Sequence, residues 1–144
     1  MEERDYLFTG DSIDINRMVK IIGNFNRTQG WRNKSDEIIK VLEDGGNVAL
    51  VPVFKNYLAG TMIALIHSEA SEALEGLRKN LMDDKLIHRK MVEVELADIF
   101  IRVLDFADAF GLDLGGAVVE KDEYNHKRPD HKLANRMKDG GKKF

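Results

Sequence analysis

The sequence predicts an all-α fold, an antiparallel helix bundle built around two long helices. Apolar residues recur at helical spacing over two stretches, about Met62 to Asn80 and about His88 to Phe110. The link between them, Leu81 to Leu86, is short enough to make them antiparallel neighbours. The one segment of strand-like composition, Val48 to Val53, has no second strand to pair with.

Each element follows from local chemistry. Residues 1–11 are polar and are expected to form a loose arm. Ser12 or Asp14 caps a first helix through about Asn26, with Ile15, Met18, Val19, Ile22 and Phe25 on one face. Gly30 ends it and Trp31 follows. Lys34 to Glu43 is a short amphipathic segment, broken by Gly45-Gly46. Val48 to Val53 is assigned to helix, with Asn47 as a cap and Pro52 in the first turns, where no backbone N–H is needed. Gly60-Thr61 then introduces the first long helix. Its apolar stripe is Met62, Leu65, Ile66, Ala73, Leu74 and Leu77. The second long helix is expected to bury Val92, Leu96, Ile99, Val103, Leu104 and Phe106, and Gly111 stops it. Asp113 caps a last helix to about Asn125, weakened at its start by Gly115 and Gly116 and closed by Pro129. Residues 130–144 read as a flexible tail, or one draped on a partner, and the whole of 1–144 as one domain.

Composition narrows the function classes. Formal net charge is -3 and the pI about 5.8, which suits neither a nucleic-acid coat nor a membrane-surface protein. There is no cysteine, so disulfides and thiolate metal sites are excluded. No uninterrupted apolar run approaches the roughly 20 residues of a membrane span. The acidic start, Met1-Glu2-Glu3-Arg4-Asp5, is unlike a signal peptide. The expectation is a cytoplasmic protein with no nucleic-acid or membrane partner.

Four acids stand out. Glu69 and Glu72 lie on the first long helix, Glu95 and Asp98 on the second, each pair spaced i, i+3 within apolar surroundings. That spacing puts both members on one face. Packing the two helices together would gather four carboxylates, which repel unless a cation sits among them. A hard divalent ion such as Mg²⁺ prefers carboxylate oxygens. Farther along the second helix, Arg102 and Asp105 continue the stripe. Arg102 is placed to hold a metal-binding acid, and Asp105 to serve as an outer-shell or additional ligand. His67, two residues before Glu69, is expected to be a packed core histidine, and Tyr124 a packing residue.

These strings resemble the MazG-like family of all-α nucleoside triphosphate pyrophosphohydrolases. Ala64 to Glu75 (ALIHSEASEALE) is similar to that family's first metal helix, and Glu95 to Asp105 (ELADIFIRVLD) to its second. Glu120 to Pro129 (EKDEYNHKRP) is similar to its EKxxYNxxRP segment, and Gly141-Lys142-Lys143-Phe144 to a common tail. The resemblance runs from about Met62 to the C-terminus. Two departures stand beside it. Ser68 occupies the place of a leading acid in an EExxE pattern, which leaves the number of metal ions open. Residues 34–60 form an extended link, longer than is usual, for which a lid, an oligomer contact and a specificity element are the open roles.

The resemblance implies Mg²⁺-dependent hydrolysis of a nucleoside or deoxynucleoside triphosphate to the monophosphate and pyrophosphate, with Mn²⁺ as a substitute ion. It makes Glu69, Glu72, Glu95 and Asp98 the metal set and Glu69 or Glu72 the residue that orients the attacking water. It makes Lys121, Asn125 and Arg128, at i, i+4 and i+7 on the last helix, the triphosphate contacts. It also brings Trp31 forward as a base-stacking platform, with Phe25 and Asn26 beside it. It implies a homodimer or homotetramer. The alternative is a non-catalytic helical oligomer that binds nucleotide or a partner protein. A di-iron carboxylate bundle is set aside, since it needs Glu-x-x-His pairs on two helices and the chain lacks two.

Overall fold

The computed structural model describes residues 12–142, with side chains from Ile15 onward. The expected N-terminal arm, the Ser12 or Asp14 cap and the last two tail residues lie outside that description. The architecture is all-α. Six helices are described: α1 (Ser12–Thr28), α2 (Asn33–Asp44), α3 (Leu50–Lys79), α4 (Met91–Ala109), α5 (Leu114–Lys127) and α6 (Leu133–Arg136). A 3-10 turn, Pro129–His131, lies between α5 and α6. Among the described residues the only β pairing is an isolated bridge between Met82 and Lys90. The chain divides into two compact units, one spanning 18–112 and the other formed by the residues on either side of it.

In the 18–112 unit, α3 and α4 form the principal packed pair, and α2 lies against α3. The pair is antiparallel: Gly76 near the end of α3 meets Met91 at the start of α4. A Cβ on Gly76 would lie 2.9 Å from the Met91 Cβ, so glycine lets the two backbones close there. Buried apolar residues of this unit are Val19, Val51, Ala73, Leu104 and Ala107.

The structure corrects the expected helix start at Gly60. The segment beginning near Val48 and the first long helix are one element of 30 residues. Pro52 falls at its third position, among the amides that have no intrahelical acceptor anyway. Gly60 is exposed with nothing within 4 Å of its would-be Cβ, so no contact asks the helix to bend. One mid-helix glycine costs about 1 kcal/mol, too little to end a long helix. Residues 34–60 are therefore mostly helical: α2, a turn, and the first third of α3. By length and mean hydropathy, 1.2 over its most apolar 18-residue window, α3 is long enough to cross a bilayer. Only 6% of that window is buried among the described residues.

Asn80, in the left-handed region at φ 51°, ends α3. The connection to α4 is organised by Asp83, whose carboxylate accepts from the backbone amides of Lys85 (3.0 Å) and Leu86 (2.5 Å). Gly111, at φ 64°, follows α4 in the expected stop position. Leu74, Leu77 and Leu96, expected to be buried, are more than half exposed. They lie on the helix flanks that the α3–α4 pairing leaves uncovered.

In the other unit, Asp113 caps α5 as expected, accepting from the Gly116 amide at 3.0 Å and from Asn16 Nδ2 at 2.7 Å. The Gly115 amide donates to Asn16 Oδ1 at 3.0 Å. A Cβ on Gly116 would lie 2.3 Å from an Asp113 carboxylate oxygen, so this glycine makes the cap possible. The tail, expected to be flexible or draped on a partner, carries the 3-10 turn and α6, which ends at Arg136.

Candidate functional site

The acidic residues of α3 and α4 converge. Glu69, Glu95 and Asp98 each offer one carboxylate oxygen, and the three oxygens lie within 4.8 Å of one another. Glu69 and Glu95 are buried, each 7% exposed. Crowding has a titration consequence: the Glu95 carboxyl is pushed up to about 7. Burial is the largest cause, followed by a hydrogen bond shared with Glu69 and the nearby charges of Glu72, Glu69 and Asp98. Ligands on opposite sides of Mg²⁺ lie about 4 Å apart, so these oxygens fit a hard divalent cation after small adjustment. Glu72, the fourth expected ligand, stays outside the trio. It is exposed, lines the same cleft of about 770 Å³, and accepts from Ser68 Oγ at 3.3 Å. Ser68 thus supplies a hydrogen bond to Glu72 in place of a further charge.

Arg102 reaches the trio as expected. Its Nε and Nη2 are both 2.5 Å from one oxygen, Glu69 Oε1. Asp105, expected as an outer-shell or additional ligand, has a partner in Arg32 that its spacing does not announce. It is neither grouped with the trio nor bonded to Arg102; its carboxylate and its carbonyl (3.1 Å) both accept from Arg32 Nη2. Arg32 also donates through Nη1 to Asp108 Oδ2 at 2.9 Å. The Asp108 side chain is only 2% exposed and is further held by Arg27 and, at 3.5 Å, by Lys20. Burial would raise this carboxyl, but the bonds and charges of Arg27 and Arg32 outweigh it and hold it below the usual carboxylate range. A Cβ on Gly23 would lie 2.1 Å from the Asp108 carboxylate, so α1 admits the acid only at a glycine.

Sequence reasoning missed Arg27, Arg32 and Asp108. One signal was present: Asp105 and Asp108 repeat the i, i+3 spacing of Glu95 and Asp98 on the same helix. The identity of their partners was not local information.

A second cavity of about 440 Å³ adjoins the cleft. Trp31, Asn26, Arg32, Leu58 and Leu65 are among its lining residues, and Asp98 and Arg102 line both it and the acidic cleft. Trp31 is 77% exposed, a ring offered at the surface instead of packed in a core. Arg32 Nε is buried there without an acceptor. Phe25 is exposed and does not line this cavity. His67, expected to be packed, is exposed: α3 turns it to the side that neither α2 nor α4 covers.

Lys121, Asn125 and Arg128 belong to the α5 unit. They do not all share a helix face, because α5 ends at Lys127 and Arg128 has extended backbone (φ −65°, ψ 128°). Arg128 pairs with both carboxylate oxygens of Asp130, at 3.0 and 2.6 Å. Tyr124, expected to pack, is exposed; Lys121 Nζ lies 4.9 Å and the Arg128 guanidinium 5.7 Å from its ring centre. Asn125 Oδ1 is buried without a donor.

Compared with family models, with curated proteins and with solved structures, the chain matches none.

Proposed function

We propose that the protein is a Mg²⁺-dependent pyrophosphohydrolase of the MazG-like kind, which cleaves a nucleoside or deoxynucleoside triphosphate to the monophosphate and pyrophosphate. The observation that supports this best is the convergence of Glu69, Glu95 and Asp98 in a cleft that abuts the Trp31 cavity. Anionic and ring-shaped parts of one ligand would find adjoining compartments. Glu69, Glu95 and Asp98 would hold the ion, and Mn²⁺ would fit the same oxygens. When bound, the ion would neutralise phosphate oxygens and the charge that develops on them.

The chain's own residues divide the remaining work. Glu72 is exposed, lines the cleft and would orient the attacking water, with Glu69 as the other candidate. Trp31 would stack on the base, with Asn26 beside it. Lys121, Asn125 and Arg128 are assigned to the triphosphate by resemblance; Arg matches phosphate geometry with two donors. A homodimer or homotetramer would cover Leu74, Leu77 and Leu96, whose exposure favours association with a second copy.

The test is pyrophosphate release from a panel of NTPs and dNTPs with Mg²⁺ and with EDTA. Release that depends on Mg²⁺ is expected. No turnover of any nucleotide overturns the proposal.

A further inference from the structure

Arg102 stands where two cavities meet, lining both the acidic cleft and the Trp31 compartment. The cleft has one other cationic lining residue among those described, Lys85, which faces Asp84 at 3.7 Å. Arg102 alone is bonded to a member of the trio. Its contact is unusual in form. A guanidinium commonly meets a carboxylate with two parallel bonds to two oxygens. Here Nε and Nη2 both converge at 2.5 Å on the single oxygen Oε1 of Glu69. The Arg102 side chain remains 39% exposed while that of Glu69 is 10% exposed, so the cation has room to move and the anion does not.

Nε donates to Oε1 and Nη2 lies at the same distance from it, so a divalent cation ligated by Oε1 at about 2.1 Å would compete with the guanidinium for that oxygen. Once such an ion neutralises the trio, a guanidinium beside it loses its attraction and gains a like-charge neighbour. It keeps five donors suited to phosphate, and the second compartment lies on its other side. Resting on the metal reading above, we infer that Arg102 is an exchangeable internal cation, which occupies Glu69 in the metal-free protein and passes to a polyphosphate when a divalent ion takes Glu69. Metal loading and polyanion binding are thereby coupled, each favouring the other.

The experiment uses the full chain as wild type, R102A and R102K. Mn²⁺ binding without nucleotide is followed by electron paramagnetic resonance. Inorganic triphosphate binding at saturating Mn²⁺ is followed by calorimetry. R102A is expected to bind Mn²⁺ about tenfold tighter and triphosphate about tenfold weaker, within the usual range of site coupling. R102K, which keeps the charge but not the fork, falls between and guards against a folding defect in R102A. Mn²⁺ affinity in R102A that is unchanged or weaker overturns the exchange, since Arg102 would then only orient Glu69. Unchanged triphosphate affinity overturns the transfer. The metal site itself is tested separately: Mn²⁺ binding that survives D98N, or is absent from wild type, rejects that site whatever Arg102 does.

Discussion

Arg32 and Asp108, 76 residues apart in sequence, meet at 2.9 Å, and their bond fixes the Trp31 turn to α4. Asp108→Asn keeps the shape but removes a buried charge that faces Arg27 and Arg32. We expect a loss of about 3 kcal/mol, typical of breaking a buried pair from one side, together with a shift in the fluorescence of the single tryptophan. The folded-state pKa of Asp108 is lowered, so its contribution is fully present above the usual carboxylate pKa and is lost as pH falls through the folded value. Urea unfolding between pH 7 and pH 3 checks both parts: the variant should show less acid-side loss than wild type. Equal stability at pH 7 contradicts the role assigned to this pair.

Glu95 predicts the opposite sign. Its carboxyl is raised to about 7, against an ordinary 4.5. Between those values the folded chain holds a proton that the unfolded chain has released. The metal-free protein should therefore gain stability as pH falls from above 7 towards 4.5, and lose that gain as pH rises through 7. Glu95→Gln should flatten this slope. Thermal melts in EDTA across that window measure it, and a flat wild-type profile would contradict the crowding of the trio.

Gly60→Ala should stabilise the chain by roughly 0.5–1 kcal/mol, because Gly60 is exposed within α3 and an added methyl meets nothing within 4 Å. Denaturant midpoints check this. A destabilised variant would mean that α3 bends at residue 60.

Glu72→Gln and Asp98→Asn should each abolish pyrophosphate release while circular dichroism stays helical. Only Asp98→Asn should also weaken Mn²⁺ binding, since Asp98 belongs to the trio and Glu72 does not. Near-native rates in either variant contradict its assigned role.

The helical character and the acidic convergence were legible because both rest on local spacing. A 3.6-residue period and an i, i+3 pair need no knowledge of distant chain. Glu69, Glu95 and Asp98 meet because each acid pair shares a face and the two helices run antiparallel. What was not legible came from distance. Asp105 is expected as an outer-shell or additional ligand, and spacing says nothing of its bond to Arg32, 73 residues away. Leu74, Leu77 and Leu96 carry a proper apolar period, but period alone does not say whether this chain or a neighbour covers a face. Gly60 was read as a boundary because glycine's cost is visible in sequence, whereas the lack of any bending contact is visible only in the fold.

The uninterrupted course of α3 limits how the protein can move. Pro52, Gly60 and Glu69 sit on one rod, so the first third of α3 cannot swing independently of the acidic cleft. If residues 34–60 act as a cover, only α2 lies off that rod, and it is tethered at both ends, by the Arg32 bonds to α4 and by the turn at Gly45-Gly46, where Gly46 has φ 75°. Whatever docks on the early turns of α3 engages the same unbroken helix that carries Glu69.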